Sequence, residues 1–203
     1  MPCYSRLSDW LRRNADLPET EQLKSVLLGH PGEFQVVEAI NPHMRAADGR
    51  LNEIDSDLAL RQWQRLKAEY EGIGIKVRVL PAQPNLADAC FTANPTMTLP
   101  LPDGSKHVWL ARMAHPSRKP ECELHRAFFE ELDFPIRRMP DPVIRFEGCG
   151  DAVLHPECFL IHGGIGPRTD PKAWQALAKA YPELDILTYE LLDERFYHLD
   201  TAL

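Results

Sequence analysis

Two carboxylates flank a pair of glycines in Phe146-Glu147-Gly148-Cys149-Gly150-Asp151. Glycine lets such a backbone take positive φ and approach a ligand or a neighbouring strand closely. A carboxylate beside the turn can grip a cation or take part in proton transfer. Taken alone, the segment is more simply a turn with a capping acid. His198-Leu199-Asp200 reads as strand, where residues i and i+2 share a face. An imidazole and a carboxylate pointing the same way suit acid–base work on a positively charged substrate. The plainer reading is a surface pair on an edge strand. Asp88 and Asn94 stand six residues apart in Leu86-Ala87-Asp88-Ala89-Cys90-Phe91-Thr92-Ala93-Asn94-Pro95, on one face if that strand is regular.

Gly163-Gly164-Ile165-Gly166-Pro167-Arg168-Thr169-Asp170 opens a helix. A glycine-rich turn before a helix N-terminus suits phosphate, yet the full dinucleotide fingerprint and the Walker lysine are absent. Arg168 on that turn fits a carboxylate ligand better, because its planar fork pairs bidentately. His155, Cys158 and His162, with Cys149 nearby, can be drawn as a zinc set. Cys158 and His162 lie along an apolar strand without a CxxC pair, so no metal is expected. Cys90, Cys122 and Cys158 read as small core residues.

Alternating strands and helices must position these groups. Phe34–Ile40 reads as a strand ending at Asn41-Pro42, and 55–71 as an amphipathic helix with Leu58, Leu60, Trp63, Leu66 and Tyr70 near helical spacing. Gly72 and Gly74 stop that helix, and 75–80 alternates as a half-buried strand should. Residues 90–94 and 107–111 read as a hairpin about Pro102-Asp103-Gly104-Ser105, followed by a helix over 120–132 and a strand over 135–139. The next pass has strands 152–154 and 158–162 about His155-Pro156-Glu157, then a helix over 171–180. Thr169 or Asp170 would be its N-cap, with Pro171 in its first turn. A strand over 185–189 closes that pass, and a further strand is expected at 196–200.

The order strand-hairpin-helix-strand therefore recurs with a period of roughly 50 residues, the mark of an array or propeller. Asn94, Glu147 and His198 open successive units, 53 and 51 residues apart. A rotational array would gather such equivalent positions at its axis, although polar residues also begin many strands by chance.

The 203 residues are 44% apolar and 26% charged, which excludes disorder as the main state. The 18 prolines imply many turns and short connections. Net charge is −7 with no lysine–arginine block, so no nucleic-acid partner is expected. No apolar run is long enough to span a bilayer, and the first ten residues lack the apolar core of a secretory signal. Five cysteines without regular spacing read as reduced thiols in a cytoplasm.

Together these segments resemble the guanidino-group modifying enzymes, the superfamily of arginine deiminase, dimethylarginine dimethylaminohydrolase and the amidinotransferases. The likeness runs from about Val26 to the end. It passes through Phe91-Thr92-Ala93-Asn94, Ala111-Arg112-Met113-Ala114-His115-Pro116-Ser117-Arg118, the Glu147 segment, Gly166-Pro167-Arg168-Thr169-Asp170 and Phe196-Tyr197-His198-Leu199-Asp200-Thr201. The resemblance implies an α/β fold, a pentein-type propeller of ββαβ modules, of which about three and a half of five would be present. It implies an N-terminal extension over 1–25 and a partial propeller domain over 26–203.

It also implies a mechanism. A cysteine thiolate attacks the guanidinium carbon of an arginine derivative, and the covalent adduct is hydrolysed or passed to another amine. His198 matches the histidine that protonates the leaving amine and activates water. Glu147 matches the acid that holds the guanidinium and steadies that histidine. Asp88, Asn94 and Asp200 match polar residues around the guanidinium, while Arg118 and Arg168 match arginines that bind the substrate's carboxylate. No cofactor is implied. Many members carry aspartate at the Asn94 position, and an amide there removes one charge from the pocket.

The family's nucleophilic cysteine lies well beyond its histidine, whereas this sequence ends five residues after His198 and none of its cysteines matches. Cys149 is a poor substitute, because adjacent strand residues face opposite ways. A continuation of the chain, a second polypeptide or a homo-oligomer would have to complete the ring. Otherwise an apolar strand edge is expected at 196–203. The alternatives are a non-catalytic guanidinium-binding module, an inactive fragment, or an unrelated repeat protein.

Overall fold

The computed structural model describes residues 3–4, 23–155 and 158–203. The extension expected over 1–25 falls mostly outside the described residues, as do Pro156 and Glu157 of the third turn. The chain divides into two compact units, Leu23–Thr92 and a second built from Met1–Gln22 with Ala93–Leu203.

In the unit Leu23–Thr92, strands β2 (Ser25–Gly29) and β3 (Lys76–Leu80) pair in parallel, with Ser25 opposite Lys76 and Gly29 opposite Leu80. Helix α1 (Ser56–Gly72) connects them. The Asp55 side chain accepts a hydrogen bond from Leu58 N–H at 2.8 Å, the capping arrangement that favours aspartate there. Gly74, at φ +82°, lets the chain leave the helix for β3. The strand expected at Phe34–Ile40 is absent. Ser25–Gly29 holds the place beside β3, and Val37 is 61% exposed in an irregular stretch after Pro31.

The larger unit contains two modules of one design. In the first, β4 (Thr96–Pro100) and β5 (Lys106–Leu110) form an antiparallel hairpin, α2 (Lys119–Glu130) follows, and β6 (Ile136–Arg137) returns parallel to β5. Asp103 Oδ1 accepts from Ser105 N–H at 2.9 Å in the hairpin turn, where Gly104 has φ +83°. In the second, β7 (Ala152–Leu154) pairs antiparallel with β8 (Leu160–Ile165), α4 (Pro171–Ala180) follows, and β9 (Asp185–Glu190) lies parallel to β8. The short helix α3 (Gly148–Asp151) precedes β7. Strand β1 (Cys3–Tyr4) adds in parallel beside β9, so the sheet order is β1-β9-β8-β7.

Two further strands differ from the sequence expectation. The first arm of the hairpin is Thr96–Pro100 and not 90–94, because the alternating Thr96-Met97-Thr98-Leu99 buries Met97 and Leu99 against the core. The strand expected at 196–200 is a turn. Phe196 N–H donates to Asp193 O and Leu199 N–H to Asp151 Oδ1, after which Leu199–Thr201 forms a 3-10 turn. Those backbone groups are therefore spent away from any ladder. Beneath the second sheet, Trp174 is fully buried, donates to Gly164 O at 2.9 Å and meets Phe146 edge-on.

Candidate functional site

Glu147 is placed from three directions. Phe146 bridges to Arg112, so the chain arrives as an extended segment. Gly148 turns it at φ +51°, where a Cβ would stand 2.4 Å from Thr96 O and 2.6 Å from Asn94 O. Only glycine lets α3 lie so close to the backbone entering β4. Cys149 N–H then donates to Ala93 O at 2.8 Å, which fastens α3 next to Asn94.

The carboxylate of Glu147 is fully buried. Its Oε1 accepts from Ala114 N–H at 2.8 Å and its Oε2 from His198 Nε2 at 2.8 Å, while Arg168 Nη1 stands 3.3 Å from Oε2. Burial acts to raise this carboxyl, but the bond from His198 and the charge of Arg168 outweigh it and hold the group below the usual carboxylate range. Arg168 also lies over the Tyr197 ring, 5.4 Å from its centroid.

On the other side of His198, its Nδ1 stands 3.3 Å from Asn94 Nδ2. Asn94 Oδ1 accepts from Arg118 Nη1 at 2.8 Å, and Arg118 is in turn gripped by Glu121 through Nε–Oε1 at 3.0 Å and Nη2–Oε2 at 2.7 Å. All of these side chains are buried. Asp151 carries the turn beneath them: Oδ1 accepts from Leu199 N–H at 3.1 Å and Oδ2 from the Thr169 hydroxyl at 2.6 Å, whose oxygen accepts from Glu147 N–H. Burial pushes the Asp151 carboxyl up to about 6, against the opposing pull of His198, Thr169 and Leu199.

Of the residues expected from sequence, Asn94, Arg118, Glu147, Arg168 and His198 come together in one continuous buried network. Asp200 is exposed on the turn after His198, so the shared strand face expected for that pair does not exist. Asp88 belongs to the other unit, half-buried in the turns after β3, and so shares no regular strand with Asn94. Glu121, Thr169 and the Ala114 N–H were not legible as site groups, although Arg118-x-x-Glu121 at a helix start is a readable pairing distance.

Two of the described cysteines carry strongly raised thiols. Burial pushes the thiols of Cys122 and Cys149 up to about 11, so both are protonated at neutral pH. Among the described residues no three histidine, cysteine or acidic side chains gather as a metal ion requires. His155 Nδ1 pairs with Cys158 Sγ at 3.2 Å, whereas His162 Nδ1 meets the Tyr189 hydroxyl at 2.9 Å.

A histidine braced between a buried carboxylate and an amide invites comparison with known proteins. The family model for N,N dimethylarginine dimethylhydrolase, eukaryotic, matches residues 30–201. The chain belongs to that family. The family lies within the guanidino-group modifying, or pentein, superfamily, as the sequence resemblance implied. Among relatives of this dimethylarginine dimethylhydrolase family member is the bifunctional arginine dihydrolase/ornithine cyclodeaminase ArgZ of Synechocystis, 32% identical over 177 residues, covering 87% of this chain and 24% of that protein. The N(G),N(G)-dimethylarginine dimethylaminohydrolase of Mycobacterium tuberculosis is 30% identical over 184 residues, covering 91% of this chain and 56% of the relative. The solved N-terminal domain of ArgZ, covalently bound to a reaction intermediate, superposes with a TM-score of 0.77 at 30% identity, over 86% of this chain and 60% of that one. The chain thus spans between about a quarter and three-fifths of the length of these relatives. The paired ββαβ modules agree with an open part of the pentein propeller, and no closed ring is present among the described residues.

Proposed function

We propose that this chain carries the acid–base half of a site that modifies the guanidino group of arginine or a methylated arginine. The observation that carries the reading is His198, held at 2.8 Å from Glu147 and 3.3 Å from Asn94 by segments far apart in sequence. The relatives named as arginine dihydrolase and dimethylarginine dimethylaminohydrolase support an arginine-type substrate.

Glu147 stays ionised and offers the negative charge that a planar guanidinium pairs with. Asn94 adds an amide and no charge. Arg168 and Arg118 serve the substrate's carboxylate, Arg118 from the position that Glu121 and Asn94 fix for it. Asp200, on the exposed turn after His198, adds a further carboxylate to the polar surround of the guanidinium. In the reaction the attacking cysteine thiol passes its proton to His198 as sulfur adds to the guanidinium carbon, and His198 then gives that proton to the departing nitrogen as the carbon–nitrogen bond breaks. Water then adds to the resulting thiouronium carbon, losing a proton to His198, and the carbon–sulfur bond breaks to free the cysteine. The thiolate is assigned to polypeptide other than these 203 residues, because none of the five cysteines matches the family's nucleophile and the thiols of Cys122 and Cys149 are raised to about 11. A thiolate nucleophile belongs in a reducing compartment, which favours the cytoplasm. Hydrolysis is favoured over amidino transfer by the names of the relatives.

Calorimetry of the purified 203-residue protein with arginine, monomethylarginine and dimethylarginine tests the pocket. Heat of binding that is lost in Glu147→Gln, with no ammonia or amine released, is the expected result. No heat with any of the three ends the proposal, and turnover by the chain alone ends the assignment of the nucleophile. A second reading, a guanidinium-binding module without catalysis, is favoured by the same two raised thiols. It predicts that binding persists when no added polypeptide restores turnover.

A further inference from the structure

Glu121 is a fully buried carboxylate to which the proposed chemistry gives no part beyond holding Arg118. A buried charge persists only when paired with good geometry, and Arg118 supplies that pairing in a two-point fork. Fixing Nε and Nη2 on Glu121 leaves Nη1 aimed at Asn94, 2.8 Å from Oδ1. A guanidinium can only donate. The atom of Asn94 that faces it is therefore the carbonyl oxygen, and the amide cannot be rotated by half a turn without setting donor against donor.

The consequence passes to His198. With Oδ1 turned to Arg118, Nδ2 faces His198 Nδ1 at 3.3 Å, and an amide nitrogen also only donates. His198 Nδ1 must then present its lone pair, and the ring proton sits on Nε2, where Glu147 Oε2 accepts it at 2.8 Å. Gly150 keeps this contact open, since a Cβ there would lie 2.4 Å from Asn94 Nδ2 and 3.2 Å from the His198 ring. We propose that Glu121 is a positioning residue which, through Arg118 and Asn94, sets the His198 ring with its proton on Nε2 and its lone pair on Nδ1. Its catalytic meaning rests on the function proposed above, whereas the ring state itself does not.

Nitrogen-15 NMR of the His198 ring in the 203-residue protein at neutral pH reads this directly. The expected pattern is one bare Nδ1 and one protonated Nε2, with the two resonances widely separated. In a folded Glu121→Gln variant the amide of Asn94 loses its fixed partner, and the two nitrogen resonances shift toward each other as the tautomers mix. Glu121→Asp, which keeps the charge, recovers part of the separation. A merely structural pair would lower stability and leave the ring pattern unchanged. Asn94→Asp supplies no donor to Nδ1 and is expected to shift the ring toward the doubly protonated form. Wild-type protein protonated at Nδ1 overturns the proposal outright, even if every variant fails to fold, and so does a folded Glu121→Gln with an unchanged ring. Calorimetry without binding beside the expected ring pattern would fault the function and not this inference.

Discussion

Asp151 and Glu147 titrate in opposite senses although both are buried. Glu147 is held below its ordinary value of 4.5, so its contribution to stability is present above that value and lost as pH falls through the lower folded one. Asp151 is raised from 3.8 to about 6, so its contribution is full below the ordinary value and lost as pH rises through 6. The loss is on the order of 3 kcal/mol by linkage. Asp151→Asn removes the ionisation and can still accept from Leu199. Its urea-unfolding free energy should gain on wild type between about pH 4 and 6, and parallel pH curves would refute the shift. Gly150→Ala places a methyl on the Asn94 amide that Arg118 pins. A cost of about 1–3 kcal/mol in thermal unfolding is expected, with loss of arginine heat in calorimetry.

At the scale of elements, Asp55→Ala should cost about 1 kcal/mol of the stability of the unit Leu23–Thr92, read by hydrogen exchange in α1. Gly163→Ala should cost more, about 2–3 kcal/mol by thermal unfolding, because its Cβ would stand 2.8 Å from the buried Trp174 ring. Helix α4 was legible to the residue because Asp170-Pro171 marks its start. The hairpin arm β4 was not, since Pro95 and Pro100 bracket it and proline ordinarily argues against a strand. Here Pro100 ends the ladder opposite Lys106, where no amide is needed. The turn at 196–200 was unreadable because its deciding acceptor, Asp151, lies far away in sequence. The same holds for the site. Asn94, Glu147 and His198 share a repeat position and could be found by spacing. Glu121 matters through what Arg118 touches, and that contact exists only once α2 is folded against the Asn94 segment.

Across the whole molecule the repeat of roughly 50 residues corresponds to real modules, two ββαβ units in the larger body and a parallel pair around α1 in the other. Ring closure has no local signature, and the described sheets remain open. Removing Met1–Tyr4 would strip β9 of its outer neighbour β1, which Thr188 also holds through Tyr4 O at 3.1 Å, and leave it paired with β8 alone. A loss of about 1–3 kcal/mol is expected, with more light scattering as the bared edge finds other strands.

That same pairing has a temporal meaning. Cys3 lies opposite Ile186, and the body it helps to build is interrupted by the whole of Leu23–Thr92. On a ribosome Cys3–Tyr4 must wait for Asp185–Glu190 to emerge before they can dock. The inserted segment, by contrast, already holds both partners of its own parallel pair by Leu80. Synthesis therefore completes the pair β2–β3 well before the pair β1–β9 can form.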